Sequence, residues 1–141
     1  MKNVLLISLA CFTLFGCNND KVTNAYLVGK WECERNYYLR VTDTDYVSLN
    51  QKYNSNLEFT IEKDKLYLKK NNSFLWQEFN LSSLSRRETK KIDDNQIEVK
   101  TNSISKKSPD TFVMVENQYI YLDNYDSNEH LKYETICTRI K

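Results

Sequence analysis

This chain of 141 residues contains one histidine and four cysteines, the residue types most often used as an imidazole base, a thiol nucleophile or a soft metal ligand. His130, the only imidazole, lies in the polar segment Asn128-Glu129-His130. No serine stands in the Gly-x-Ser-x-Gly elbow that activates many hydrolase nucleophiles. We therefore predict that His130 is a solvated loop residue and that the protein is not an enzyme.

Two aspartate pairs, Asp43/Asp45 and Asp93/Asp94, lie in polar segments that are typical of turns. Asp43 and Asp45 have the spacing of two calcium ligands, but the other loop ligands and the glycine of an EF-hand are missing. The sequence predicts turns at both places, with no metal and no cofactor.

The first 17 residues indicate where the protein works. Lys2 precedes an apolar run over residues 4 to 15, and Gly16-Cys17 follow it. A basic start, a short apolar core and a small residue before the cut are typical of a secretory signal, and the run is shorter than the ~20 residues of a membrane anchor. One interpretation is an ordinary signal peptide that is cut near Gly16.

The second interpretation rests on Leu14-Phe15-Gly16-Cys17, which resembles the lipobox of bacterial lipoproteins. This resemblance implies a signal peptide over residues 1 to 16, acyl chains of the palmitate type on Cys17, and a tether up to residue 24. A single domain then covers residues 25 to 141. Asn18 stands where inner-membrane lipoproteins often carry aspartate, which implies anchoring in the outer membrane, facing the periplasm.

Under this interpretation Cys11 leaves with the signal and Cys17 is acylated, so that Cys33 and Cys137 remain. An even pair in an oxidising compartment indicates one disulfide, here closing a loop of roughly 100 residues. A redox pair and a metal site are the alternatives, but neither a CxxC motif nor a suitably spaced histidine accompanies these cysteines.

Composition narrows the class of partner. Removal of residues 1 to 16 takes away Lys2 and leaves 19 basic and 19 acidic residues, so the exported chain is formally neutral. A nucleic-acid binder would show a basic excess, and we expect no nucleic acid as partner. About 125 residues form one domain, which we expect to be a monomer.

Apolar and polar residues alternate along most of the chain, and no segment keeps helical spacing. The pattern predicts strands at 31–40, 57–61, 66–68, 74–81, 96–101, 111–115, 119–122 and 131–140. Turns are expected at 62–65, 71–73, 93–95 and 116–118, loops at 106–110 and 123–129, and a polar stretch at 82–91. The sequence therefore predicts an all-β domain, a small antiparallel barrel or half-open barrel of about eight strands, with a sandwich as the alternative. The expected core residues are Trp31, Phe59, Trp76 and Phe112.

Gly29-Lys30-Trp31 resembles the Gly-x-Trp signature of lipocalin and calycin barrels, whose tryptophan closes one end of the barrel. The whole plan also resembles the bacterial lipoproteins that inhibit c-type lysozymes, although Gly29 is the only glycine of the exported chain and their Ser-Gly motif is absent. Immunity lipoproteins, which protect bacteria from toxins, share the architecture without a common motif.

Two surface features suggest a docking site for a protein. The basic run over residues 86 to 91 contrasts with the acidic loop that contains Asp123, Asp126 and Glu129, and complementary charge steers encounters between proteins. Tyrosines exceed the needs of a small core, and exposed tyrosines are favoured in protein contacts. Candidate contact residues are Arg86, Arg87, Lys90, Lys91, Tyr125 and Asp126.

These observations predict an anchored lipoprotein that binds a protein partner, as an inhibitor or immunity factor. A lipocalin-like carrier of a small apolar ligand and a structural envelope lipoprotein are the alternatives. An open apolar pocket would favour the carrier, whereas a filled barrel with tyrosines and charges outside would favour the protein partner.

Overall fold

The computed structural model describes residues 21–42, 44–71, 73–122 and 129–141. It confirms the all-β prediction: eight antiparallel strands form one sheet that curls into a half-barrel. A short helix, α1 (Asn24–Leu27), and a 3₁₀ helix, Leu81–Ser85, accompany it. The strands are β1 (Gly29–Arg40), β2 (Tyr46–Glu62), β3 (Lys65–Lys70), β4 (Gln77–Glu78), β5 (Arg87–Asp93), β6 (Gln96–Ser108), β7 (Thr111–Leu122) and β8 (Glu129–Arg139).

The strand order is β4-β3-β2-β1-β8-β7-β6-β5. Strands β1 to β4 therefore form one half of the sheet, strands β5 to β8 form the other, and the pairing of β1 with β8 is the seam between them. The seam places Trp31 opposite Arg139 and Leu39 opposite Leu131. The first and last strands are thus neighbours, and β4 and β5 are the two edges.

Large apolar side chains fill the end of the half-barrel at which β1 begins. Trp31 and Phe112 are fully buried there, with ring centroids 4.7 Å apart, and Phe59 packs against Phe112. Helix α1 covers this end. Thr23 Oγ1 caps the helix by accepting a hydrogen bond from the Tyr26 amide. Leu27 O, at the end of the helix, accepts a hydrogen bond from Trp31 Nε1 at 2.7 Å and so joins the helix to the core. These three aromatic residues were correctly predicted as core.

The start of the packed domain lies slightly earlier than residue 25, the predicted boundary. Val22 is buried and belongs to the core cluster. Val22 therefore packs on the domain.

Arg139, on β8, contacts both Trp31 and the backbone around helix α1 at the covered end. Its guanidinium lies 4.1 Å from the centroid of a Trp31 ring and donates hydrogen bonds to Tyr26 O at 2.6 Å and Val28 O at 2.8 Å. Gly29 has φ of +127°, and a Cβ there would lie 2.8 Å from Arg139 Nη1. Glycine is favoured because L side chains rarely adopt this backbone conformation, and a Cβ would also require the Arg139 guanidinium to shift.

The predicted disulfide is present. Cys33 and Cys137 face each other across the seam with an S–S distance of 2.06 Å and a Cα–Cα distance of 4.0 Å. Both cysteines are buried in the core cluster.

The hairpin of β2 and β3 is confirmed, and its turn residues Lys63 and Asp64 both have positive φ, as a tight two-residue hairpin turn requires. The turn between β5 and β6 at residues 93 to 95 is also confirmed. Strand β2 extends back to Tyr46, eleven residues before the predicted start, because it pairs with β1 as far as Arg40.

The predicted turn at residues 116 to 118 is wrong, since β7 runs without interruption from Thr111 to Leu122. Its polar residues have partners on other strands: Glu116 pairs with Arg35 on β1, Asn117 contacts His130 on β8, and Gln118 accepts a hydrogen bond from Tyr133 on β8. Polar side chains satisfied in this way allow the strand to continue through a segment that reads as a turn.

The predicted strand at residues 74 to 81 is reduced to Gln77–Glu78, and Trp76 is not a core residue. The predicted polar stretch at 82–91 contains most of strand β5, and β6 continues through Ser108 into the predicted loop at 106–110. Both strands form because they pair with neighbouring strands, and local composition does not predict such pairing.

Candidate functional site

A cleft of about 480 Å³ opens on the concave face of the half-barrel. Strands β2 and β3 form one wall and strands β6 and β7 the other, with β1 and β8 at the floor. This volume lies within the range of about 300 to 1,000 Å³ that is common for binding sites. The curl of the sheet creates the cleft because the edge strands β4 and β5 are not neighbours in the sheet.

One part of the cleft is apolar and continuous with the core. It is lined by Leu57, Phe59, Leu68, Phe79 and Met114. Phe79 follows the edge strand β4 and packs against Phe59 with ring centroids 5.4 Å apart. Alternation on β2 and β3 points these side chains inward, as expected for a sheet with one buried face.

An ion pair forms the polar part of the cleft. Arg35 Nη2 on β1 lies 3.0 Å from Glu116 Oε2 on β7. The guanidinium also lies 4.5 Å from the ring centroid of Tyr133 on β8, and Arg35 Nε, which is buried, has no hydrogen-bond acceptor. The aromatic ring thus faces part of the cation while Glu116 neutralises its charge.

A chain of polar side chains continues from this pair along the concave face. Tyr133 donates a hydrogen bond from its hydroxyl to Gln118 Oε1 at 2.9 Å, Gln118 Nε2 donates to Glu98, and Glu98 lies 3.5 Å from Lys100 Nζ. Burial raises the pKa of Tyr133, and the nearby charge of Glu116 raises it further. Tyr133 is therefore a neutral donor at physiological pH.

Charge is balanced within this network, with two basic and two acidic side chains among Arg35, Lys100, Glu98 and Glu116. The cleft itself is lined by Arg35, Glu116 and Lys70, and it offers apolar contacts and directed hydrogen bonds. Tyr53, opposite Arg35 in the pairing of β1 with β2, stands at the wall of the cleft with 55% of its surface exposed.

His130 is not a solvated loop residue, contrary to the prediction. It lies on β8, is 3% exposed, and stacks on Tyr119 with ring centroids 4.0 Å apart. Its Nδ1 lies 3.1 Å from Tyr46 Oη, and its Nε2 lies 3.2 Å from Asn117 Oδ1. A neutral imidazole can make both hydrogen bonds: Nδ1 accepts one from the Tyr46 hydroxyl, and Nε2–H donates one to Asn117 Oδ1.

The stability of the fold should depend on pH through this residue. Burial, together with the positive charges of Arg40 and Lys132, lowers the pKa of His130 below 6.5. The unfolded chain therefore takes up a proton that the folded chain resists, so the free energy of unfolding should fall as pH drops below 6.5 and level off below the folded pKa. Urea unfolding between pH 7.5 and 5.5 measures this slope.

The matched variant is His130→Gln, which cannot titrate in this range. Because the chain has a single histidine, the variant should lose most of the slope between pH 7.5 and 5.5. An unchanged slope in the variant would contradict the role of His130.

The basic run lies along the edge strand β5, where every residue from Arg87 to Asp93 is exposed, and Arg86 caps the preceding 3₁₀ helix. The register with β6 places Lys90 opposite Glu98, on the concave face, whereas Arg87 and Lys91 project from the other face. The run is therefore divided between the two faces of the edge, and it does not form one docking patch as predicted.

Several residues singled out from the sequence lie outside the described residues: Cys17, Asp43, Asp123, Tyr125 and Asp126. Asp45 accepts a hydrogen bond from Thr42 Oγ1 at 2.8 Å, and Asp93 accepts one from the Asn95 amide, so both act in turns. In the described part of the chain, no three histidine, cysteine, aspartate or glutamate side chains are grouped as a metal site. The described residues also include no helix that is long and apolar enough to cross a membrane.

Sequence reasoning missed an exposed cluster that we call the apolar loop, formed by Phe74, Leu75 and Trp76. These side chains are 98%, 72% and 40% exposed. Lys69 Nζ on β3 lies 4.6 Å from the centroid of a Trp76 ring. The signal in the sequence was three consecutive apolar residues without alternation, which does not fit a half-buried strand.

Compared with known proteins, the chain matches no protein-family model, no curated protein and no solved structure.

Proposed function

We propose that the protein is an outer-membrane lipoprotein, acylated at Cys17 and facing the periplasm, whose half-barrel binds a protein partner as an inhibitor or immunity factor. The observation that most supports this proposal is the exposed Tyr53 on a half-barrel whose covered end is filled by Trp31, Phe59 and Phe112. An anchored domain of this kind acts close to the membrane.

The state of the barrel interior favours a protein over a small apolar ligand. A carrier encloses its ligand to remove apolar surface from water. In the half-barrel, Trp31, Phe59 and Phe112 fill the covered end, and the remaining cleft is open along one side. A protruding segment of a protein fits such a cleft because it brings its own surface to cover the opening.

The chemistry of the cleft agrees with that partner. Tyrosine contributes a large, rigid and amphipathic contact area, and it is enriched in the residues that dominate binding energy. The pair of Arg35 and Glu116 is already neutral, so a partner need not supply a matching charge in the cleft. The exposed basic residues of β5 then act on the rate of encounter and its dependence on salt.

The test places a photo-crosslinking amino acid at position 53 of the intact, acylated lipoprotein in cells. We expect a light-dependent adduct with one protein, and we expect Tyr53→Ala to weaken binding of that protein by about 2 kcal/mol, or roughly thirtyfold. The measurement is titration of the purified pair by calorimetry or interferometry.

Tyr121 provides the control, since it is an exposed tyrosine on the opposite face of the sheet. Tyr121→Ala should change affinity less than threefold. Equal losses for both tyrosines, or a lipid found in the cleft by mass spectrometry of the purified protein, would refute the proposal and favour a carrier.

Anchoring through Cys17 makes a separate prediction. Cys17→Ser should prevent acylation, and the variant should leave the membrane fraction or remain as an unprocessed precursor, because acyl chains give an essentially permanent anchor that the serine variant lacks. Fractionation with detection of the processed chain measures this. A correctly cleaved Cys17→Ser protein that stays with the membrane would disprove the anchor.

A further inference from the structure

The apolar loop exposes more apolar surface than its neighbourhood explains. Phe74 is almost entirely exposed, Leu75 mostly so, and Trp76 in part, and none of them belongs to the core cluster. Exposed apolar side chains that adjoin one another on a soluble domain mark a contact with a protein or a membrane. The loop connects β3 with the edge strand β4, and it is separate from the cleft of the proposed partner.

The beginning of the described chain lies at the same edge of the sheet as this loop. Lys21 and Glu78 line one hollow, and Trp76 is two residues before Glu78. Two residues of chain span at most roughly 7 Å. The apolar loop and the beginning of the described chain, which leads back toward Cys17, therefore lie at the same edge of the sheet.

The length of the segment between Cys17 and Lys21 limits how far the apolar loop can lie from the membrane. Three residues separate the proposed acylated Cys17 from Lys21, and the four Cα–Cα steps between them span at most roughly 14 Å when the chain is fully extended. This edge of the sheet is thus held near the bilayer, a step that rests on the proposed anchor. Apolar side chains presented so close to a lipid surface gain free energy by entering it.

The types of residue in and around the loop match the boundary between headgroups and acyl chains. Phenylalanine, leucine and tryptophan are the side chains by which surface-bound segments enter this boundary. Lys30 lines the same hollow as Phe74, so one long basic side chain flanks the loop, and Lys69 lies beside Trp76. Lys69 is also paired with Glu58 at 2.7 Å, which fixes its position.

We propose that Phe74, Leu75 and Trp76 insert into the headgroup boundary of the same leaflet that holds the acyl anchor, and thereby set the orientation of the half-barrel on the membrane. The anchor alone would leave the domain free to rotate on its short tether. With the loop as a second attachment, the cleft keeps a fixed direction relative to the surface.

The two tryptophans of the chain make the test direct, because Trp31 is fully buried and Trp76 is exposed. The acylated protein is reconstituted into vesicles of phosphatidylethanolamine and phosphatidylglycerol, with and without brominated acyl chains. We expect Trp76 emission to move to shorter wavelength and to be quenched by the brominated lipid. Trp76→Phe should abolish both changes, since the remaining Trp31 is shielded by the core.

A second measurement does not depend on acylation. Among the described residues the core begins at Val22, so the oxidised chain of residues 18–141 keeps every core residue that the structure describes. Its binding to the same vesicles is measured by sedimentation. Phe74→Ser should lower the partition coefficient about tenfold. Leu49→Ser, which alters an exposed leucine on β2, should change it less than twofold.

The outcomes separate this proposal from the anchor. If residues 18–141 bind vesicles through the loop while Cys17 proves unmodified, the membrane contact stands and the anchor fails. If Trp76 is neither shifted nor quenched in the reconstituted lipoprotein, the membrane contact is overturned, and a protein remains as the occupant of the loop.

Discussion

Replacing both cysteines of the buried pair, Cys33→Ala with Cys137→Ala, should lower the free energy of unfolding by about 4 kcal/mol. The disulfide joins residues 104 positions apart, so it removes a large loop-closure entropy from the unfolded chain. Denaturation by guanidinium, monitored by the emission of Trp31, measures the loss. A domain of this size has a total stability of only about 5 to 15 kcal/mol, so the variant should be marginal.

The position of the bond in the sheet adds to its importance. The two halves of the sheet, β1 to β4 and β5 to β8, are each built from consecutive strands, whereas β1 and β8 pair across almost the whole chain. Contacts of such long separation form slowly because loop closure must come first. Refolding of the double variant should therefore be slower than refolding of the oxidised protein.

Reduced wild-type protein is the control, and its unfolding curve should coincide with that of the double variant. A loss below about 1 kcal/mol in both would show that the unfolded chain gains little freedom without the bond. Two reactive thiols in the denatured, unreduced protein would show that the bond does not form at all.

Much of the fold could be predicted because alternation of apolar and polar residues is a local signal. Trp31, Phe59 and Phe112 lie on strands whose alternation marks the buried face, and all three are core residues. The disulfide could be predicted because only Cys33 and Cys137 remain once Cys11 and Cys17 are assigned to the signal and the acylation site. A bond between them requires the first and last strands to be adjacent, as they are.

The errors share one physical origin: pairing between strands decided the structure where local composition was ambiguous. Glu116, Asn117 and Gln118 have the composition of a turn, yet each has a partner on another strand. Residues 46–56 and 87–91 show no apolar alternation and are held in strands by their neighbours β1 and β6. Such partners are remote in sequence, so no local pattern reveals them.

The candidate site was less predictable than the fold for the same reason. Arg35 and Glu116 are 81 positions apart, and their pairing depends on the order of β1, β8 and β7. The burial of His130 depends on Tyr46 and Tyr119 in the same way. The exposure of the apolar loop could not be predicted from the sequence, because exposure requires knowing that no other element covers it.

The second large effect is expected at the tryptophans. The sequence predicts both as core residues, but only Trp31 is buried and Trp76 is partly exposed. Trp31→Ala should lower the free energy of unfolding by about 3 to 5 kcal/mol, the usual cost of removing a large buried ring. The ring is fully buried, contacts Tyr26 and Phe112, and donates its indole hydrogen to Leu27 O. Its removal also leaves the Arg139 guanidinium without the ring over which it lies.

Trp76→Ala is the matched control, and it should cost less than about 1 kcal/mol. Trp76 is 40% exposed and its described ring contact is with Lys69, an interaction worth about 0.5 to 1 kcal/mol at an exposed site. Both variants are compared by urea unfolding followed by far-ultraviolet circular dichroism, because each removes a fluorophore. Similar losses for the two variants would mean that Trp76 is packed in the folded protein, and the apolar loop would then have no free surface with which to bind a membrane.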